Sequence, residues 1–267
     1  MLCLVVDDFG LHTGVNDAAQ RLTELGRVHA VGALVGAPAF VAGGAVLRRI
    51  DAEGLDVGLH LDLTERPLLR RSSRPLSQIV IEAYTRQLDR RLLRLEICAQ
   101  LDAFEAALGH GPAFVDGHQH VHQLPGVREA LVTELKQRYG ARLPWLRCTQ
   151  RVGPGAKPWL ISALGGASAR KLADKNGFGR NRRLLGVHNF RCGAAKYAQL
   201  LTNWLSAGRD GDLLMCHPAL GSQLHDPLAA ARAVEYSVLT GQLFLRMLQA
   251  RGISLWPMSQ ILERLGG

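Results

Sequence analysis

Five short apolar runs in this 267-residue sequence each end on a side chain that can carry charge or hold a cation, and that recurrence constrains the fold more than any other feature. Leu2 to Val6 stops at Asp7-Asp8-Phe9-Gly10; Leu55 to Leu63 carries His60 near its end; Ala113 to Val115 leads into Asp116-Gly117-His118. Trp145 to Cys148 holds Arg147, and Asp212 to Cys216 is followed by His217-Pro218. Runs of this length and composition read as buried strands, and His29 to Val35 and Ile253 to Trp256 read the same way. Helical patterns separate them: Gly14 to Gly26, Ala39 to Arg49, Leu88 to Leu108, Pro125 to Tyr139, Pro158 to Lys175, Ala194 to Ser206, Pro227 to Arg251 and Ser259 to Leu265. Strands alternating with helices pair in parallel through right-handed crossovers. In a barrel of parallel strands the active site forms at the strand C-terminal ends. The expected fold is therefore α/β: a TIM-like (β/α) barrel with outer helices, an incomplete or seven-stranded ring being allowed, over residues 1–267 as one domain. Two irregular excursions are expected, at 65–86 and 152–183, the first long enough to fold over a site.

Phe114 to Gln123 places three of the ten histidines within five residues. Read as extended chain, His118, His120 and His122 point one way and Gln119 and Val121 the other. Imidazoles converging on one spot suit a catalytic divalent metal. Asp7 and Asp8, as strand neighbours, diverge, so one carboxylate can ligate a metal while the other serves a different role.

Composition excludes several classes. Hydrophobic residues make up 47% and charged residues 21%, as in a soluble globular protein with a substantial core. No apolar run reaches the length of a membrane-spanning helix, and Asp7-Asp8 interrupts the N-terminal run, so neither span nor signal peptide fits and a cytoplasmic location is expected. Five widely spaced cysteines without a Cys-x-x-Cys pair read as free thiols. The net charge of +9 favours acidic partners, and peripheral membrane contact stays open. The arginine-rich stretches 66–94 and 170–183 lack the interleaved aromatics of a single-strand binding platform, so no nucleic acid is expected.

Val6-Asp7-Asp8-Phe9-Gly10, Gly58-Leu59-His60-Leu61, Val115 to His122 and Met215-Cys216-His217-Pro218 together resemble the signature segments of the YdjC family, the ChbG/HpnK carbohydrate deacetylases, in the family's order from Val5 to Leu239. The resemblance implies a barrel-like β/α fold and metal-dependent removal of acetyl groups from N-acetylated sugars such as chito-oligosaccharides or related glycans and glycolipids, with a homodimer as one assembly. It implies Asp8, His60 and His118 as metal ligands, Asp7 as catalytic base and His217 as general acid, with Arg232 and Glu235 at matching polar positions. Two departures stand out: Val5-Val6 where the family usually has Asn-Ala, and a 157–183 segment without a counterpart.

The residues alone support compatible chemistry. Amide hydrolysis needs an activated water, a stabilised oxyanion and a proton for the departing amine. One carboxylate and two imidazoles suit Zn2+, and Mg2+ is the alternative. Arg147 is placed to orient Asp7, while His120, His122 and Asp116 serve as second-layer or sugar-contacting groups. A different metal-dependent hydrolase, of the amidohydrolase or phosphoesterase type, and a nucleic-acid-binding protein are the competing readings.

Overall fold

The computed structural model describes residues 1–69, 73–140, 142–150, 159, 161–221 and 225–266. Seven parallel strands form one sheet: β1 (Leu2–Phe9), β2 (Ala30–Ala33), β3 (Asp56–Leu61), β4 (Phe114–Gly117), β5 (Trp145–Leu146), β6 (Leu184–Leu185) and β7 (Asp212–Cys216), in the order β5-β4-β3-β2-β1-β7-β6. The strands are buried along their whole length, as expected of a parallel sheet covered on both faces. Helices α1 (Thr13–Glu24), α2 (Phe40–Ala52), α3 (Leu76–Tyr84), α4 (Arg90–Leu108), α5 (Val127–Tyr139), α6 (Ala167–Lys175), α7 (Ala194–Ala207), α8 (Ala229–Thr240), α9 (Gln242–Gln249) and α10 (Met258–Gly266) surround it.

The sheet curls into an incomplete barrel, and its two edges meet at a seam. Leu146 N–H donates to Gly179 O at 2.9 Å and Leu184 N–H to Gln150 O at 2.9 Å. Between them the buried Asn181 carboxamide stands in for a ladder pair: Cys148 N–H donates to Asn181 Oδ1 at 2.6 Å, and Asn181 Nδ2 donates to Cys148 O at 2.9 Å. A side chain thus supplies what a continuous strand would have supplied.

Local chemistry sets the element ends. Asp89 caps α4 by accepting from the N–H groups of Arg91 and Leu92, and Gly109 ends it with φ 84°. At Gly36 a Cβ would lie 1.8 Å from the Arg66 carbonyl oxygen, so only glycine lets the β2–α2 turn meet the start of the excursion.

Several expectations need correction. Residues 118–123 are not extended: His118–Gln123 is a 3₁₀ turn with Gln119 (φ 52°) and His120 (φ 60°) in the left-handed region, so the three imidazoles do not share one face. Ile253 to Trp256 is no full strand; Leu255 makes one isolated bridge to Leu2. The seventh strand is instead β6, only two residues long and without an apolar run to announce it. The expected helix Pro227 to Arg251 breaks at Gly241 into α8 and α9. The 65–86 excursion contains the regular helix α3. Within 152–183, residues 152–158 and 160 lie outside the described residues, and α6 and the seam segment occupy much of the rest. All five cysteines are free.

Candidate metal-dependent active site

At the strand C-terminal ends lies a cavity of about 660 Å3 with Asp7, Asp8, His60, His118, His120, His217 and Arg232 in its lining. β1 brings both aspartates there through an irregularity. Its register with β2 runs from Val6 opposite Val31 to Phe9 opposite Ala33, three residues against two, so one extra residue is inserted. Asp8 takes φ 66° at that bulge, a left-handed conformation costing an L-residue about 1 kcal/mol. The bulge turns neighbouring carboxylates that would otherwise face apart into one cavity with different partners: Asp7 meets Arg147, and Asp8 meets Arg232 at 2.7 Å.

β1 and β3 are not adjacent, since β2 lies between them. Gly32 on β2 lies against the His60 side chain, where a Cβ would make ordinary van der Waals contact at 3.5 Å. Across β2, His60 Nε2 comes within 3.5 Å of Asp8 Oδ1, and His118 Nδ1 lies 3.0 Å from the same oxygen. Ligand atoms of Asp8, His60 and His118 all fall within 4.8 Å of one another.

His60 and Asp116 are direct register partners on β3 and β4, so their side chains stand on the same side of the sheet. Asp116 Oδ1 sits 2.6 Å from His60 Nδ1, a pairing that places the proton on Nδ1 and leaves Nε2 as the lone-pair donor facing Asp8. The opposite Asp116 oxygen is 2.5 Å from Arg147 Nη2. Arg147 also donates to both Asp7 oxygens, at 2.6 and 2.7 Å. This fork outweighs burial, which alone would raise the Asp7 pKa, and holds that carboxyl well below the usual carboxylate range.

The electrostatics of this floor favour positive charge. Burial pushes His60 toward neutrality, yet Asp116 and Asp7 overcome it and raise its pKa to about 9. His118 is raised in the same way, burial being outweighed by Asp8 and then Glu65. Carboxylates that hold protons on two imidazoles also favour a divalent cation in their place. His118 Nε2 and His120 Nδ1 are buried without a hydrogen-bond partner among the described residues. The donor set, the Asp116-oriented imidazole and the excess negative charge fit a divalent metal held by one carboxylate and two imidazoles.

The remaining expected residues divide by position. His217 Nε2 lies 3.7 Å from Asp7 Oδ2, its ring edge against Phe190, and burial lowers its pKa despite Asp7 and Asp8 nearby. Glu235 accepts from the His217 backbone N–H at 2.6 Å and pairs with His188 at 2.8 Å, fixing the turn after β7 from behind. His122 points away from the cavity, with Nε2 3.1 Å from Arg147 O. His120 faces the cavity, and burial together with Arg147 keeps it strongly disposed to the neutral form. Sequence reasoning missed Asp226, which pairs with Arg232 Nε at 2.8 Å and His12 at 3.3 Å, and Glu65, which lies 3.5 Å from His118. Asp226 precedes a proline at a helix start, where an acid reads as a cap, and Glu65 opens an irregular segment; neither position carries a signal in one sequence.

The YdjC-like protein family matches residues 1–250, and the chain belongs to that family. A carbohydrate deacetylase of Mus musculus is 31% identical over 172 residues, which cover 60% of this chain and 54% of that protein, so the alignment spans about half of the relative's length. A chitooligosaccharide deacetylase of Serratia marcescens is 27% identical over 266 residues, covering 96% of each. A solved structure of an Enterococcus faecalis V583 protein, named for cellobiose-phosphate cleavage, shares the fold with TM-score 0.74 at 20% identity over 98% of both chains. No helix among the described residues is long and apolar enough to cross a membrane.

Proposed function

We propose that this chain is a metal-dependent carbohydrate N-deacetylase, working as one domain over 1–267, which hydrolyses the acetamide of an N-acetylated sugar. The observation that carries the reading is the meeting of Asp8, His60 and His118 beside an Arg147-clamped Asp7, with His217 on the other side of that carboxylate. Relatives named carbohydrate deacetylase and chitooligosaccharide deacetylase support the substrate class.

Asp8, His60 and His118 would hold the cation, Mg2+ or Zn2+. When bound, such an ion polarises the acetyl carbonyl and lowers the pKa of water. Asp7, kept ionised and oriented by Arg147, accepts the proton of the attacking water as the oxygen–carbon bond forms. The buried His217 rests neutral, so it acts as a relay: its Nε2, 3.7 Å from Asp7, passes that proton to the sugar nitrogen as the carbon–nitrogen bond breaks. Arg232 lies between Asp8 and Asp226, fixing the Asp8 carboxylate while leaving its other oxygen toward the imidazoles. Gln119, donating to Glu65 at 2.9 Å, ties the 3₁₀ turn to the 65–86 excursion at the cavity rim.

The test is a screen of N-acetylated saccharides for released acetate with added Mg2+ or Zn2+, with and without chelator. Chelator-sensitive release supports the proposal. Release that persists undiminished after exhaustive chelation, or none from any N-acetyl sugar with metal bound, overturns it.

A further inference from the structure

The two imidazoles of the candidate cation site are braced in opposite senses. His60 presents Nε2 to Asp8 and meets Asp116 through Nδ1 at 2.6 Å. His118 is turned the other way: Nδ1 faces Asp8 at 3.0 Å, and Nε2, on the far edge of the ring, faces Glu65 Oε1 at 3.5 Å. An ion shared with Asp8 therefore takes Nδ1 of His118, and the proton of that ring stays on Nε2. Nε2 is buried without a hydrogen-bond partner among the described residues, and a buried N–H left unmatched costs about 1–3 kcal/mol. Glu65 Oε1 is the acceptor that faces it.

The backbone that carries Glu65 is fixed from below, although its side chain is 50% exposed. Asp62, buried just after β3, accepts from the N–H groups of Thr64, Glu65 and Arg66 at 2.7, 3.1 and 2.6 Å. Gln100 on α4 clasps both main-chain groups of Asp62, at 3.1 and 2.6 Å. Glu96, wholly buried one turn earlier on α4, accepts from Leu68 and Leu69 N–H, each at 2.8 Å. From the other side Gln119, left-handed at φ 52°, donates to the same Glu65 oxygen at 2.9 Å. Two buried acids thus hold the main chain of 64–69, and the product of that construction is a carboxylate at the outer edge of the His118 ring.

We propose that Glu65 is a positioning residue for the cation site: it accepts the Nε2 proton of His118 while Nδ1 takes the ion, as Asp116 does for the opposite tautomer of His60. This rests on the reading of Asp8, His60 and His118 as cation ligands. Asp116 belongs to the sheet, whereas Glu65 belongs to the excursion that also sends Leu76 and Val80 to the cavity wall. Ion binding and the placement of that wall are therefore coupled, and the coupling acts in both directions.

The test uses the metal-free full chain as wild type, Glu65→Gln and Glu65→Ala, titrated with Zn2+ by calorimetry. Kd is expected to weaken about tenfold in Glu65→Ala, the low end for a carboxylate behind a metal-bound imidazole, because this one is half-exposed. Glu65→Gln keeps an acceptor oxygen and should recover part of the loss. Nitrogen-15 spectra of the histidine-labelled, Zn2+-loaded wild type should show His118 ligated through Nδ1 with Nε2 protonated, and His60 the reverse. Zn2+ should slow hydrogen exchange of the amides between 64 and 69 in the wild type but not in Glu65→Ala. Equal Kd in the three proteins, or His118 ligated through Nε2, overturns the role of Glu65 and leaves the cation site standing. Zn2+-dependent slowing of equal size in wild type and Glu65→Ala overturns the coupling. Failure of Zn2+ to bind the wild type overturns the cation site itself, and the role of Glu65 with it.

Discussion

Arg147 and Asp7, 140 residues apart, are joined by two parallel hydrogen bonds of 2.6 and 2.7 Å in a fully buried fork, and the same guanidinium reaches Asp116 at 2.5 Å. Removing it strands two buried carboxylates. Arg147→Ala is expected to lower unfolding free energy by about 3–5 kcal/mol, and Arg147→Lys to recover part of that stability without the fork geometry. Urea denaturation of the two variants measures it; equal stabilities for wild type and Arg147→Ala would show that the fork is not structural.

Asp116 bonds His60 Nδ1 with one oxygen and Arg147 with the other, and with Asp7 and His60 it forms a second group whose ligand atoms lie within 4.8 Å of one another. Asp116→Asn is expected to weaken metal binding by about ten- to a hundredfold while leaving the three ligand side chains intact. Calorimetric titration of the metal-free protein with Zn2+ reads this out, and an unchanged Kd would remove Asp116 from the account.

Asp7 and Asp8 are neighbours with separable tasks. Asp8→Ala is expected to abolish metal binding and turnover together. Asp7→Asn should keep the metal and lose at least about a hundredfold in kcat, the scale of a general base. Metal analysis of the purified variants alongside acetate release distinguishes the two; full activity in Asp7→Asn contradicts the assigned base.

His122 provides a pH signature away from the cation ligands. Burial, with Arg147 adding to it and Asp116 opposing, lowers its pKa to about 4. A histidine whose folded pKa lies below its unfolded value of about 6.5 contributes stability that is complete above that pH and is lost as pH falls through 4. The metal-free protein should therefore lose on the order of 3 kcal/mol between those pH values from this group alone. In His122→Gln, denaturant midpoints followed from pH 7 to 4 should fall less steeply than in the wild type.

Asn181 is wholly buried and bonded to both the N–H and the C=O of Cys148. Asn181→Ala leaves those two backbone groups unmatched and is expected to destabilise by about 2–4 kcal/mol, from about 1–2 kcal/mol for each. Hydrogen exchange should localise the change: the Cys148 amide is expected to lose protection, while amides of β1 and β3 keep theirs relative to the global stability.

Much of this was legible along the chain because burial and chemistry point the same way at strand ends. Apolar runs that stop on Asp7-Asp8, His60, Arg147 and His217 announce both a parallel sheet and the rim where its polar groups collect. The turn at His118–Gln123 was not legible, since His-x-His-x-His alternates as a strand does and its left-handed positions are Gln119 and His120 rather than glycines. β6 escaped for the opposite reason: two leucines make no pattern, and the pair is a strand only because β7 lies beside it. Partners such as Asp226 and Glu65 reach the site through tertiary packing, which leaves no local mark.

The seam beside β5 is where a side chain, Asn181, takes the place of a main-chain ladder partner. Arg147 sits one residue from the Asn181 clasp, whereas the strands bearing Asp8 and His60 each have a main-chain neighbour on both flanks. Any loosening of the ring at that joint reaches the guanidinium first. On the proposed roles, Asp7 would then lose its clamp while Asp8, His60 and His118 keep theirs, so turnover and cation retention would fail separately in one molecule.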